Sequence, residues 1–248
     1  MPRTFKTLPR VYVEPALAMG SEIELGLDQT NHVVNVLRLG EGDSIVLFNG
    51  RDGAWRADLV KAGKKKSLAV VREFAAAQTP PSDLWYGFAP LKVGRLDYLV
   101  QKATEMGAGT IQPVMTRYTQ GRVRADKLAA WSLEAAQQCE VLTLPRIAPE
   151  ATLSATLVSW PSVHGDRKLI FADESAGSAS PVKVLAALRG QRVGLIVGPE
   201  GGFAPEERDQ LLSQPFVTPI SLGPRILRAD TAAVAALAVI QATIGDWR

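Results

Sequence analysis

The sequence predicts an α/β protein: a small β-barrel at the N-terminus, then an α/β domain on a mostly parallel sheet. Three observations predict it. Short strand-like runs crowd residues 1–72, a proline-bearing break falls at 74–83, and beyond it apolar runs of strand length alternate with helix-length segments. A chain of 248 residues with 46% hydrophobic content is long enough for one large core or two modest ones. The change of pattern favours two domains, 1–73 and 84–248, joined by a linker over 74–83.

In the first domain the expected strands are Val11 to Val13, Ser21 to Leu25, Asp43 to Phe48, Ala54 to Val60 and Leu68 to Val71. Asn49-Gly50 and Asp52-Gly53 are turn signals between two of them. Only Thr30 to Leu39 has a helical pattern there. Many short strands in so few residues suggest a small barrel of the kind that holds RNA. The break at Phe74 to Asp83 loses periodicity and contains Pro80-Pro81. After it, strands are expected at Leu84 to Ala89, Ile111 to Val114, Lys168 to Ala172, Val193 to Val197 and Val217 to Leu222. Helices are expected near 94–106, 124–139, 181–189, 205–213 and 230–243.

Charge and cysteine content bound the function. The formal net charge is +3, and this excess lies wholly within residues 1–72. That asymmetry suits a module that approaches nucleic acid, although most such excesses are solvated surface. A single cysteine, Cys139, permits no intrachain disulfide and fits a reducing cytosol. The start has no signal-peptide pattern, and the most apolar late stretch, Ala232 to Ile240, is far shorter than a membrane span. With two histidines, His32 and His164, and one cysteine, no ordinary zinc site is expected.

Two loops carry the strongest functional signal. Gly194-Leu-Ile-Val-Gly-Pro-Glu-Gly-Gly-Phe-Ala-Pro-Glu-Glu207 and Leu222-Gly-Pro-Arg-Ile-Leu-Arg-Ala-Asp-Thr-Ala232 each follow a strand and open a helix. Such loops on neighbouring strands would enclose a ligand crevice with main-chain walls. Neither is a P-loop, since no Lys-Ser/Thr pair follows the last glycine, and neither carries G-x-G-x-x-G. Glu200, Glu206 and Glu207 would repel a polyanion, so a neutral or zwitterionic ligand is expected.

Gly198-Pro-Glu-Gly-Gly-Phe with Leu222-Gly-Pro-Arg-Ile-Leu-Arg resembles the cofactor-binding loops of the RsmE family of ribosomal RNA uridine-N3 methyltransferases. The resemblance extends to His32-Val-Val-Asn-Val-Leu-Arg38, Gln101-Lys-Ala-Thr-Glu-Met-Gly107 and Glu134-Ala-Ala-Gln-Gln138. It implies a C-terminal SPOUT domain with a trefoil knot, an N-terminal PUA-like barrel, S-adenosylmethionine as cofactor, 16S ribosomal RNA of the small subunit as substrate and a cytoplasmic homodimer. The segment Gln138-Cys139-Glu140-Val141 departs from the family, which often has Arg near Val141.

The resemblance also implies site roles. Main chain around Val197, Gly198, Gly202, Leu222 and Ile226 would surround the cofactor, with Gly223, Leu227 and Thr231 beside it; Thr231 is otherwise a first-turn residue. Glu200 would orient ribose hydroxyls or the cofactor amine, or else favour the next helix start. Arg228 would stabilise the uracil anion that forms as N3 loses its proton, or else form a surface ion pair with Asp230 or Glu207. Asp230, where the family commonly has Glu, reads as an N-cap of the last helix or as a general base. Arg3, Arg10, His32, Arg38, Lys92, Arg95 and Arg225 are the candidate RNA contacts, with Lys64-Lys-Lys66 a solvated run or a phosphate contact. Glu105 reads as structural. A ribose 2′-O methyltransferase of the same superfamily and a noncatalytic RNA-binding or ribosome-assembly protein are the competing readings.

Overall fold

The computed structural model describes residues 5, 7–63, 65–91, 94–177 and 180–247. Arg3, Lys64 and Lys92 lie outside them. The chain divides into two compact units, one running to Pro81 and including Leu133–Leu144, the other formed by Ser82–Ser132 and the chain from Pro145 onward.

In the first unit five strands, β1 (Arg10–Tyr12), β2 (Glu22–Leu25), β3 (Ser44–Phe48), β4 (Ala54–Ala62) and β5 (Ser67–Ala76), pair in the order β1-β3-β4-β5-β2. β1 and β3 are parallel and the other pairs antiparallel. The path curls, because residues of its two end strands, Val11 and Ile23 with Leu25, meet in one core with Ile45, Leu47, Leu59 and Val71. The Asn49 side chain sets the β3–β4 turn: its Oδ1 accepts from the N–H groups of Arg51 and Asp52, at 3.1 and 2.9 Å. The expected helix at 30–39 is α1 (Leu27–Thr30), continued by a π-helical turn over Asn31–Val36.

β3 is buried on both faces, which its continuous apolar run Ile45-Val-Leu-Phe48 already requires. Ile45 and Leu47 face the curled core, while Val46 and Phe48 face a second cluster with Ala136 and Leu142. That cover comes from 133–144, a segment the sequence reading assigns to the other domain. It also takes Arg10 off the surface. Arg10 is 6% exposed and pairs at 3.2 Å with Glu140, which is exposed, so its expected RNA contact is corrected to a buried cation engaged in an ion pair within this unit. β5 runs through Ala76, into the segment expected to be linker.

The second unit is a parallel sheet. Its strands are β6 (Trp85–Phe88), β7 (Thr110–Met115), β8 (Arg146–Ile147), β9 (Ala151–Thr152), β10 (Lys168–Ala172), β11 (Val193–Val197) and β12 (Val217–Ile220), in the order β12-β10-β11-β6-β7-β8 with β9 on β7. Its helices are α2 (Leu96–Glu105), α4 (Leu153–His164), α5 (Pro181–Ala186), α6 (Pro205–Leu212) and α7 (Ala229–Thr243), together with the start of α3 (Ala125–Gln138), whose residues from Leu133 onward belong to the first unit. Alternation along the strands feeds two cores. Tyr86, Phe88, Ile170 and Leu195 pack with Leu99 of α2, Leu185 of α5 and Leu237 of α7. Trp85, Leu169, Phe171 and Ile196 pack with Leu157 and Trp160 of α4 and Leu211 of α6. Pro219 is tolerated in β12 because this strand ends the sheet.

The sequence reading misses α4, whose Pro161 and β-branched residues argue against a helix. Its burial of Leu153, Thr156, Leu157 and Trp160 is nonetheless helical in spacing. Thr152 caps it, accepting from the Ala155 N–H at 3.1 Å. At the amino edge of the sheet, buried Arg167 donates to the Asp83 carboxylate at 2.6 Å and to the Val193 carbonyl at 2.8 Å, joining the starts of β6, β10 and β11.

His164 ends α4 against the Trp160 ring, with ring centroids 4.2 Å apart. Burial, followed by the nearby positive charges of Arg167, Arg146 and Arg192, pushes its imidazole from the ordinary 6.5 down to about 4. The unfolded chain therefore takes up a proton between those values that the folded chain refuses. Stability is expected to fall as the pH drops from 6.5 towards 4, and His164→Gln should lose less over that interval. Equal losses for the two proteins in urea titrations at several pH values would remove His164 as the cause.

Candidate active site

All strands of the sheet run the same way, so their carboxyl ends share one edge. Three loops leave that edge side by side: Asp173-Glu174-Ser175 after β10, Gly198 to Ala204 after β11 and Ser221 to Arg228 after β12. They enclose a cavity of about 360 Å³. The two loops singled out in the sequence do not leave neighbouring strands, because β10 lies between β11 and β12. The β10 loop is thus a third wall, and the sequence reading did not foresee it.

Of the expected cofactor residues, Val197, Gly198, Glu200, Gly202, Leu222, Gly223, Ile226 and Leu227 line the cavity. Thr231 does not; it is exposed in the first turn of α7. Phe171, Asp173, Glu174, Ser175, Phe203, Arg208 and Asp209 join the lining without having been foreseen. Arg225, expected to contact RNA, also lines it.

The glycines act in two ways. Gly202 and Gly223 have φ of +69° and +104°, the left-handed region that side chains other than glycine adopt at a cost. Gly198 instead gives room: a Cβ there would lie 2.8 Å from the Phe203 ring. That ring packs edge-on against Phe171, with centroids 5.2 Å apart. The loop returns to α6 through Glu207, whose carboxylate accepts from the Ala204 N–H at 3.0 Å and the Arg117 N–H at 2.8 Å. Glu207 is therefore a structural tie and no ion-pair partner of Arg228.

Arg228 is the N-cap residue of α7, extended at φ −65° and ψ 152°, and its side chain is exposed. Among the described residues no carboxylate pairs with it. Asp230 is not the N-cap, since the helix begins one residue before it, at Ala229. Its carboxylate accepts from Arg95 at 3.0 Å and from the Thr231 N–H at 2.9 Å. Arg95, expected to face RNA, is thereby committed to a bridge between α2 and α7. Lys102 and Glu105 pair at 2.7 Å along α2. In the first unit His32 is half-buried and Arg38 is exposed with φ +60°. Val141, at the family departure, packs against the second core cluster of that unit.

Among the described residues there is no group of three or more His, Cys, Asp or Glu placed to hold a metal, and no helix long and apolar enough to cross a membrane.

Residues 78–241 match a family described as an RNA methyltransferase domain, and residues 26–72 one described as an RNA methyltransferase PUA domain. Ribosomal RNA small subunit methyltransferase E of Rickettsia conorii is 34% identical to the chain, covering 94% of both. The chain belongs to this RNA methyltransferase family. Its architecture is accordingly a PUA-like domain and an α/β RNA methyltransferase domain. Among solved family structures, ribosomal RNA small subunit methyltransferase E from Neisseria gonorrhoeae, bound to S-adenosyl methionine, is 27% identical with a TM-score of 0.84, covering 97% of this chain and 100% of that one. The methyltransferase Lpg2936 from Legionella pneumophila, in complex with SAM, is 28% identical with a TM-score of 0.83, covering 95% and 97%.

The tight fit of Phe203 over Gly198 is testable by itself. Gly198→Ala is expected to cost roughly 1–3 kcal/mol of folding stability by overpacking. Combined with Phe203→Leu, the loss should be smaller than the sum of the single changes by about 1 kcal/mol. Additive losses in denaturant titrations would separate the two residues.

Proposed function

We propose that the protein transfers a methyl group from S-adenosylmethionine to N3 of a uridine in 16S ribosomal RNA of the small subunit, in the cytoplasm and as a homodimer. The observation that carries this reading is the three-loop cavity with the uncommitted Arg228 next to its wall residues Leu227 and Ala229. Family membership supports the reaction class. The cavity suits the cofactor: its volume falls in the range of small-ligand sites, and it offers apolar faces from Phe171, Val197, Leu222 and Leu227. It also offers both signs of charge for a zwitterion. S-adenosylmethionine supplies an electrophilic methyl group on a sulfonium.

The chain's own residues do the rest. Main chain at Val197, Gly198, Gly202, Leu222, Gly223 and Ile226 presents donors and acceptors, and Glu200 is placed to accept from hydroxyl or amine groups. The N3 proton of a uridine is held at neutral pH, so the base must gain anionic character as it reacts. A guanidinium at O2 or O4 stabilises that charge in a fixed fork, which is the role assigned to Arg228. Asp230 acts as a positioning residue: its carboxylate, held by Arg95, fixes the first turn of α7 and with it the Arg228 backbone. Arg225 at the cavity, His32 and Arg38 on the first unit, and Arg3 and Lys92 are the proposed RNA contacts. Exposed aromatics Tyr98 and Trp247 are candidate contacts of the homodimer.

Labelled S-adenosylmethionine incubated with small ribosomal subunits lacking base methylation is expected to yield N3-methyluridine on nucleoside mass spectrometry. A 2′-O-methyl product would replace the proposed reaction with ribose methylation. Arg228→Ala is expected to lower kcat by about a hundredfold while leaving cofactor affinity within twofold or so. Unchanged turnover at saturating RNA and cofactor would take Arg228 out of the transition state.

A further inference from the structure

Carboxylates dominate the charged lining of the cavity: Asp173, Glu174, Glu200 and Asp209, against the guanidinium groups of Arg208 and Arg225. One of these acids is unlike the others. The Asp173 side chain, at the end of β10, is only 3% exposed, and Arg208 on α6 grips it from one edge. Arg208 Nε lies 3.2 Å from each carboxylate oxygen and Nη2 lies 2.9 Å from Oδ2. That fork uses Nε and Nη2. Nη1, with its two N–H groups, has no partner among the described residues, and the side chain is 34% exposed. The pair also lines an adjoining cavity of about 290 Å³, so it stands where the two meet.

A guanidinium clamped by a buried carboxylate is an oriented donor. Its rotamer freedom is already spent on the fold, so less is lost when a ligand binds. Its remaining edge is suited to a carboxylate oxygen, to which charged N–H groups bond strongly. Arg225 is less prepared, since it is exposed and no carboxylate orients it among the described residues. In an acid-rich cavity the cationic parts of a zwitterion have several partners, whereas its carboxylate has few.

We propose that Arg208, aimed by Asp173, binds the carboxylate of the cofactor's amino-acid tail and so selects ligands that carry it. This rests on the S-adenosylmethionine reading of the cavity. Asp173 is then a positioning residue, and Arg208 the contact.

The test compares S-adenosylmethionine with its decarboxylated analogue, which keeps the adenosine, sulfonium and amine, by calorimetric titration of the full chain. The wild type is expected to favour the carboxylate-bearing ligand by about tenfold or more. Arg208→Met should abolish that preference while changing affinity for the decarboxylated ligand by no more than about twofold. Asp173→Asn should reduce the preference, and Arg225→Met should leave it intact. Should Arg208→Met not fold, Arg208→Gln is read the same way. A purely structural role would weaken both ligands alike and keep their ratio, which overturns the proposal. So would loss of the preference in Arg225→Met with its retention in Arg208→Met. If the wild type binds both ligands equally, the cofactor reading stands and the carboxylate anchor falls; if it binds neither, both fall.

Discussion

Everything at the active site depends on one constraint, the parallel pairing of β12, β10 and β11. Parallel strands bring their carboxyl ends to a common edge and leave their connections to cross the faces of the sheet. With β10 in the middle, three loops separated by long stretches of sequence become adjacent walls. The buried faces of these strands pack against α7 and α5 on one side and α4 and α6 on the other. The cavity thus has a rigid floor, and its loops need only short spans of unusual backbone, as at Gly202 and Gly223.

Ion pairs at the edges of the second unit fix where its elements begin and end. Arg167 and Asp83 tie the strand starts, Arg95 and Asp230 join α2 to the first turn of α7, and Arg208 and Asp173 join α6 to the end of β10. Each has one partner largely buried, so removing the exposed member leaves a buried charge short of its main partner. Such pairs are weak as sources of net stability and strong as determinants of geometry. Arg228 differs from them. It is a cation next to the cavity walls with no carboxylate partner among the described residues, which leaves it available to a ligand.

Much of this was legible in the residues. Alternation of strand and helix lengths located most elements, and the glycine loops located two walls of the cavity, because tight turns and close approaches leave a local signature. α4 was obscured by Pro161, although its apolar spacing was present. Asp173, Glu174, Ser175 and Arg208 carried no local signature at all. They belong to the site only because β10 pairs between β11 and β12. Arg10 and Arg95 looked like surface cations for the same reason, their acids being Glu140 and Asp230, far along the chain.

By itself, the sequence determined what depends on neighbours along the chain: the turn at Asn49, the glycine loops, the strand and helix periods, and the family these motifs resemble. The tertiary structure alone decided which charges remain available. An Arg is committed or uncommitted according to whether a carboxylate lies within a few ångströms of it, and that distance is set by strand order and helix packing. Arg10, Arg95 and Arg208 found such partners, and among the described residues Arg228 did not.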